Sequence, residues 1–263
     1  MQVSVIIPNF NYGQYIEQAI TSVLNSNMDR NEMEIIVVDD ASTDNSVSVI
    51  EKLMYNTKAP LRLIRNEINL GLSLSRNRGI AHSQGKFLFF LDSDNYINEN
   101  CIKTHLETLL TAPDAIACYS PIQDFLDKSG EYQNLRSDQP FDYSLLLRGP
   151  YIDAMAMFRK NSLIEIGMYN HKMPPYGWED YELWLRLGKF RKKVVFIPSA
   201  PLSYYRIHTS NMSMNFNPDQ YNHIIYYLKQ YYPIERYFEK SDTLEGLLAG
   251  SIREHLNQDK SNF

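Results

Sequence analysis

At 263 residues, with 44% apolar and 22% charged residues, the chain has the composition of an ordinary soluble globular protein, with room for one large domain or a domain plus a C-terminal extension. A formal charge of −5 speaks against a nucleic-acid partner, because phosphate binding relies on dense lysine and arginine. Two cysteines, Cys101 and Cys118, among apolar neighbours predict neither a disulfide framework nor a zinc site. With strand pattern from Val3 onward and no apolar run long enough to span a membrane, neither a signal peptide nor a transmembrane segment is expected, and the expected location is the cytoplasm.

Residues 3–7 predict a strand, expected to stop at Pro8, which has no N–H for a ladder. Ile16, Ala19, Ile20, Val23 and Leu24 then recur at the spacing of one helix face. Residues 34–38 predict a second strand ending at Asp39-Asp40, and residues 47–54 a second helix. A third strand over 61–64 leads through the turn Asn69-Leu70-Gly71 into a helix over 72–82. Residues 87–91 are uniformly apolar and predict a buried strand. It ends at Asp92-Ser93-Asp94. Residues two apart in extended backbone point to the same side, so both carboxylates can face one ligand. The other reading of this tripeptide is a polar turn capping the next helix.

This β-α alternation implies right-handed crossovers and a mostly parallel sheet covered by helices. Such sheets bind ligands at the carboxyl ends of their strands. Pro8-Asn9-Phe10-Asn11, Asp39-Asp40 and Asp92-Ser93-Asp94 all fall there.

Beyond Asn98, the pattern predicts a helix to about residue 110, a strand at 115–119, a turn at 127–130 and an irregular stretch over 137–150. A strand over 152–158 follows. Trp178-Glu179-Asp180 opens a helix with Leu183, Trp184 and Leu187 on one face, and strands at 194–197 and 202–205 complete the regular part. Those carboxylates also suit the positive end of a helix dipole. From residue 218 to 263 the pattern is helical. Tyr221, Ile224, Ile225, Leu228, Tyr231 and Tyr232 form a stripe expected to pack on the core, with a homodimer contact or a shallow membrane-surface contact as alternatives.

Residues 3–11, residues 34–42, Asn69-Leu70-Gly71 with Arg76-Asn77, and residues 90–95 together resemble the family 2 nucleotide-sugar glycosyltransferases of GT-A fold, in the order and spacing of four motifs. The resemblance covers about residues 1–210. It implies an α/β, Rossmann-like domain over residues 1–213, with a donor half (1–97) and an acceptor half (98–213), followed by a helical extension over 214–263. It further implies inverting transfer of a sugar from a nucleoside diphosphate, a UDP- or dTDP-sugar, with Mn²⁺ or Mg²⁺ as cofactor. The acceptor would be a hydroxyl of a glycan or a lipid-linked glycan in surface polysaccharide or glycoconjugate assembly, at the inner face of the membrane.

Carried over position by position, the resemblance assigns Pro8, Asn9 and Phe10 to the nucleobase, with Phe10 as a stacking face. Asp40 would accept the ring N–H of uracil or thymine. Asn69, Gly71 and Arg76 would meet the donor, Arg76 at its ribose or diphosphate. Asp92 and Ser93 would contact the donor, Asp94 would ligate the metal, and His208 would join the metal or the diphosphate. Trp178 and Glu179 would lie at the acceptor, and Asp180 would take the proton from its hydroxyl, with Glu179 the competing base. A carboxylate of ordinary pKa, about 3.9, is a weak base, and burial beside Trp178 would strengthen it. The chain departs from relatives at Asn170, where an acidic residue is common, and residues 138–151 carry no assignable pattern. A sugar nucleotidyltransferase would need a glycine-rich, basic loop where Pro8-Asn9-Phe10-Asn11-Tyr12-Gly13 stands. A non-catalytic nucleotide-sugar or glycan binder would need no base.

Overall fold

The computed structural model describes residues 1–57, 60–212 and 217–234. The first half alternates regularly: β1 (Val3–Asn9), α1 (Ile16–Leu24), β2 (Met33–Asp39), α2 (Ser46–Thr57), β3 (Leu61–Arg65), α3 (Leu72–His82) and β4 (Phe87–Phe90). The second half is more varied: β5 (Tyr96–Ile97), α4 (Cys101–Thr111), β6 (Ala115–Tyr119), β7 (Ile122–Leu126), β8 (Tyr132–Arg136), α5 (Tyr143–Leu146), β9 (Met157–Arg159), α6 (Lys160–Glu165), α7 (Glu179–Lys189), β10 (Lys193–Phe196), β11 (Ser203–Ile207) and α8 (Pro218–Lys229).

Seven strands form the central sheet in the order β10-β6-β9-β4-β1-β2-β3. All neighbours run parallel except β9, which is antiparallel to both β4 and β6. A second sheet, β5-β11-β7-β8, lies beside it. Every residue of β1, β2 and β4 is buried, which is why these strands read as apolar runs rather than alternating ones. Val5, Ile7, Val37 and Phe89 pack toward α1 and α4 on one face, while Ile6, Leu88 and Phe90 pack with Ile80 of α3 and Leu183, Trp184 and Leu187 of α7 on the other. Helix α3 lies tight on β1, since a Cβ on Gly79 would fall 2.4 Å from Ile6 Cγ2.

Four expectations need correction. β1 does not stop at Pro8 but runs to Asn9. In a parallel strand, alternate residues face opposite neighbours; Pro8 faces the β4 side, where the ladder has ended at Ile6–Phe90, so its missing N–H breaks nothing. The strand expected over 152–158 is only Met157–Arg159: residues 151–156 are irregular, with isolated backbone bonds from Ser137 N to Tyr151 O and from Phe90 N to Ala156 O in place of a ladder. The irregular stretch 137–150 contains α5, capped by Asp142, whose side chain accepts from the Ser144 and Leu145 amides. It packs on α7 so closely that a Cβ on Gly188 would lie 2.2 Å from Tyr143 Cδ2. The last strand is Ser203–Ile207, two residues further along than expected at its end.

The stripe on α8 is used within the chain. Ile224, Ile225, Leu228 and Tyr232 are buried, the Tyr232 hydroxyl donates to Glu182 Oε1 at 2.5 Å, and Tyr221 meets Trp178 edge-on. Those side chains are therefore engaged within the chain, as expected, while Tyr231 of the stripe is 50% exposed. Residues 235–263 of the expected extension lie outside the described residues. Among the described residues, no helix is long and apolar enough to cross a membrane.

Candidate active site

The loop after β4 and the start of α7 meet around one buried cation. Arg76, in the second turn of α3, is 1% exposed. Its Nη2 donates to Asp92 Oδ1 at 2.6 Å and its Nη1 to Glu179 Oε1, and its guanidinium lies 5.1 Å from the centre of the Tyr169 ring. Asn77, the next residue, clamps Tyr169 through both backbone groups, at 2.8 Å and 3.0 Å. The pair Arg76-Asn77 thus ties α3 to the loop after β4, to Tyr169 and to the start of α7. Arg76 is buried in these contacts.

Asp40 is buried and braces the turn before α3. Its Oδ1 accepts from Asn66 Nδ2 and the Leu70 amide, and its Oδ2 from the Gly71 amide at 2.8 Å. A carboxylate has about four acceptor positions, so one on Oδ2 is left. Asn69 is exposed in that turn, and Gly71 caps α3 at φ 84°, a conformation that favours glycine. Asp39 holds Asn9 and the Ser42 amide. Pro8 is buried within β1, whereas the ring of Phe10 is 43% exposed beside these groups.

Ser93 is buried beneath the loop after β4. Asp94 meets the chain's distal part: its Oδ2 lies 3.1 Å from His208 Nε2 and 3.4 Å from Asn211 Nδ2. Its carbonyl accepts from Arg206 Nε at 2.8 Å, and Arg206 in turn pairs with Asp127. Burial pushes the Asp94 carboxyl up, with His208 pulling against it. The Tyr12 and Tyr15 rings lie against His208, and the Tyr12 hydroxyl, raised by burial and then by Asp94, donates to Ser210 O.

Trp178 turns the chain into α7 with φ 66°, the left-handed region that a bulky residue rarely occupies and that recurs at functional sites. Glu179 is buried and Asp180 half-buried at the helix start. The Asp180 carboxyl is pushed well above the usual carboxylate range, first by burial, then by the like charges of Glu179 and Asp153, with Arg76 pulling back. Its Oδ1 accepts from the Tyr181 amide at 2.7 Å.

Sequence reasoning did not single out Asp153. It lies in the segment read as a strand, its carboxyl is pushed up to about 6 by burial, and it interacts with both Asp92 and Arg76. Arg136 faces it at 3.6 Å while holding Asp124 with two hydrogen bonds at 2.5 Å and 2.8 Å. Nothing in the local pattern marks Asp153 or Arg136, because they meet the motif residues only through folding. Asn170 binds the Tyr227 hydroxyl of α8 at 2.9 Å, a neutral contact in which a carboxylate would gain no countercharge.

Residues 4–169 match the family model described as glycosyl transferase family 2. The chain belongs to that family. As a family 2 glycosyltransferase it is 28% identical, over 214 residues, to an uncharacterized glycosyltransferase of Haemophilus influenzae, covering 81% of this chain and 82% of that protein. Among solved structures it is similar to residues 1–349 of TarS from S. aureus in complex with UDP-GlcNAc, with a TM-score of 0.68 and 21% identity over 84% of this chain and 64% of that one. It is also similar to the mannosyltransferase PcManGT from Pyrobaculum calidifontis in complex with GDP-Man and Mn²⁺, with a TM-score of 0.64 and 17% identity over 81% and 59% of the two chains. The chain therefore spans less than two thirds of either solved chain, and at these identities the likeness shows the GT-A fold.

Proposed function

We propose that this glycosyltransferase transfers a sugar from a nucleoside diphosphate, a UDP-sugar, to an acceptor hydroxyl of a growing glycan or lipid-linked glycan, with inversion at the anomeric carbon and with a divalent cation. Residues 1–97 form the donor half of the domain and residues 98–213 the acceptor half. The observation that supports this reading is the ion-paired bridge Asp92–Arg76–Glu179, which joins the carboxylate that follows β4 to the one that opens α7.

Phe10 offers its exposed ring to the base, and the open position on Asp40 Oδ2 suits one ring N–H. Pro8 and Asn9 support that wall, Asn69 and Gly71 form the adjoining turn, and Ser93 lies beneath the diphosphate. The metal reading draws on the donor chemistry of Asp94 and His208. Among the described residues no group of three or more His, Cys, Asp or Glu side chains converges on one point. Two protein ligands nevertheless fit a hard cation that takes its remaining positions from phosphate oxygens and water. A buried carboxylate that gains from a countercharge fits the same role. Asp94 and His208 would hold the ion, Mn²⁺ or Mg²⁺, and its chemistry would be to offset the charge growing on the departing diphosphate.

Asp180 acts as the base. Its raised pKa brings the carboxylate closer to an acceptor hydroxyl's demands than an exposed aspartate would be. Glu179 is occupied with Arg76, which leaves Asp180 the freer carboxylate, beside Trp178 as an acceptor platform. In Asp180→Asn, transfer should fall to background while UDP affinity stays within about twofold of wild type, since the donor wall is untouched. Turnover at wild-type rate in that variant would remove Asp180 as base, and UDP binding without any donor consumption in the wild type would favour a non-catalytic binder.

A further inference from the structure

The chain carries −5 overall, yet no aspartate or glutamate occurs from residue 183 to 218 or from 220 to 234. Within those stretches, Lys189-Phe190-Arg191-Lys192-Lys193 forms the turn from α7 to β10, and all five residues are exposed. Phe190 is 56% exposed. The end of α8 is brought beside it, because Lys189 Nζ donates to the Tyr231 carbonyl at 2.9 Å. Tyr231, 50% exposed, and Tyr226, 69% exposed, add two more aromatic rings, and Lys229 adds a further cation. Lys193 is neutralised by Asp114 at 2.9 Å. Arg191 and Lys192 have no ion-pair partner among the described residues.

Lysine and arginine at a helix C-terminus complement its dipole, so the cations alone have a local explanation. The backbone does not share it. The Lys192 amide donates to Leu187 O and the Arg191 amide to Gly188 O, which is the hydrogen-bond pattern of a Schellman cap with Arg191 at its left-handed position. Arg191 has φ 50°, a conformation that glycine adopts freely and that costs an L side chain. The turn thus carries a cation where the fold alone would be better served by none, next to an exposed phenylalanine. Basic side chains around exposed aromatic rings match an interface with anionic headgroups, where the rings enter the headgroup layer and the cations meet its charge.

We propose that the α7–β10 turn and the end of α8 form a docking surface for an anionic lipid bilayer. The surface lies about 15 Å along α7 from Asp180, at the opposite end of the helix, so docking leaves the crevice open. This reading stands independently of which donor or acceptor the enzyme uses.

The test is co-sedimentation of the full chain with phosphatidylcholine vesicles, with and without phosphatidylglycerol, at low and raised salt. Binding is expected only with phosphatidylglycerol and should weaken with salt. Arg191→Gly should lower vesicle partition about fivefold, the loss of one interfacial cation, while the melting temperature holds or rises and transfer to a water-soluble acceptor is unchanged. Phe190→Ser should also lower partition. Undiminished partition of Arg191→Gly, equal binding to pure phosphatidylcholine, or absence of binding to the anionic vesicles would each overturn the proposal. So would self-association of the wild type that Arg191→Gly abolishes in the absence of vesicles, which would assign the surface to a second copy of the chain.

Discussion

Arg76 donates a hydrogen bond to Glu179, 103 positions later in the chain, and the two side chains are almost completely buried. Together with the Arg76–Asp92 pair, this contact decides where α7 starts relative to the end of β4. Replacing Arg76 by Met leaves two carboxylates without their countercharge, and breaking a buried pair costs about 3–5 kcal/mol. Arg76→Met should therefore unfold at clearly lower urea concentration than the wild type, and adding Glu179→Gln should restore part of the loss. Additive destabilisation in the double variant would mean that the pair does not act as a unit.

As the proposed base, Asp180 would work only when ionised, and its pKa is raised. The kcat–pH profile should therefore rise with pH through an acid limb displaced upward from the ordinary aspartate range. Asp153 contributes to that displacement by like-charge repulsion. In Asp153→Asn the limb should move to lower pH. An unmoved limb would show that the two carboxylates are uncoupled in the working enzyme.

The same residue predicts a stability effect. In the folded chain the Asp153 carboxyl is pushed up to about 6, whereas the unfolded chain releases its proton near the ordinary aspartate value of 3.8. Between these values the folded state binds more protons, so this group's contribution to stability falls as pH rises across that window. The fall should be absent in Asp153→Asn, whose stability relative to wild type should increase from about pH 4 to about pH 6, as read by denaturant titration at several pH values.

Asp94 and His208 are the proposed metal ligands. Asp94→Asn and His208→Ala should each weaken Mn²⁺-dependent UDP binding by about tenfold or more in calorimetric titration, with metal-free UDP binding little changed. Asn211, whose amide contacts both side chains, would act by orienting them, and its replacement is expected to cost less than loss of either ligand. Equal Mn²⁺ dependence in Asp94→Asn and wild type would exclude the site.

Gly79 faces Ile6 with no room for a methyl group. Gly79→Ala should push α3 off β1 and cost about 1–3 kcal/mol despite alanine's better helix propensity. Because α3 carries Arg76, kcat should fall as well. A variant as stable as wild type in thermal melts would show that Ile6 can rotate away without cost.

The first half of the sheet was legible in the residues themselves. Buried parallel strands must be apolar throughout, so β1, β2 and β4 announce themselves, and short connections force their carboxyl ends, with Asp40, Asp92 and Asp94, to one edge of the sheet. The extent of β1 past Pro8 was not legible, because it depends on which neighbour each residue faces. Nor was the partnership of Arg76: residues 16 and 103 positions away in the chain neutralise it, and no local pattern encodes a contact made by packing α3 against β4 and α7. Asp153 and Arg136 escaped notice for the same reason, as did the cap at Arg191, which reads in sequence as one more basic residue. Local chemistry and periodicity specify which elements form and which of their ends carry polar groups. Burial, shared countercharge and the raised carboxyl pKa values exist only once the chain has brought distant side chains together out of water.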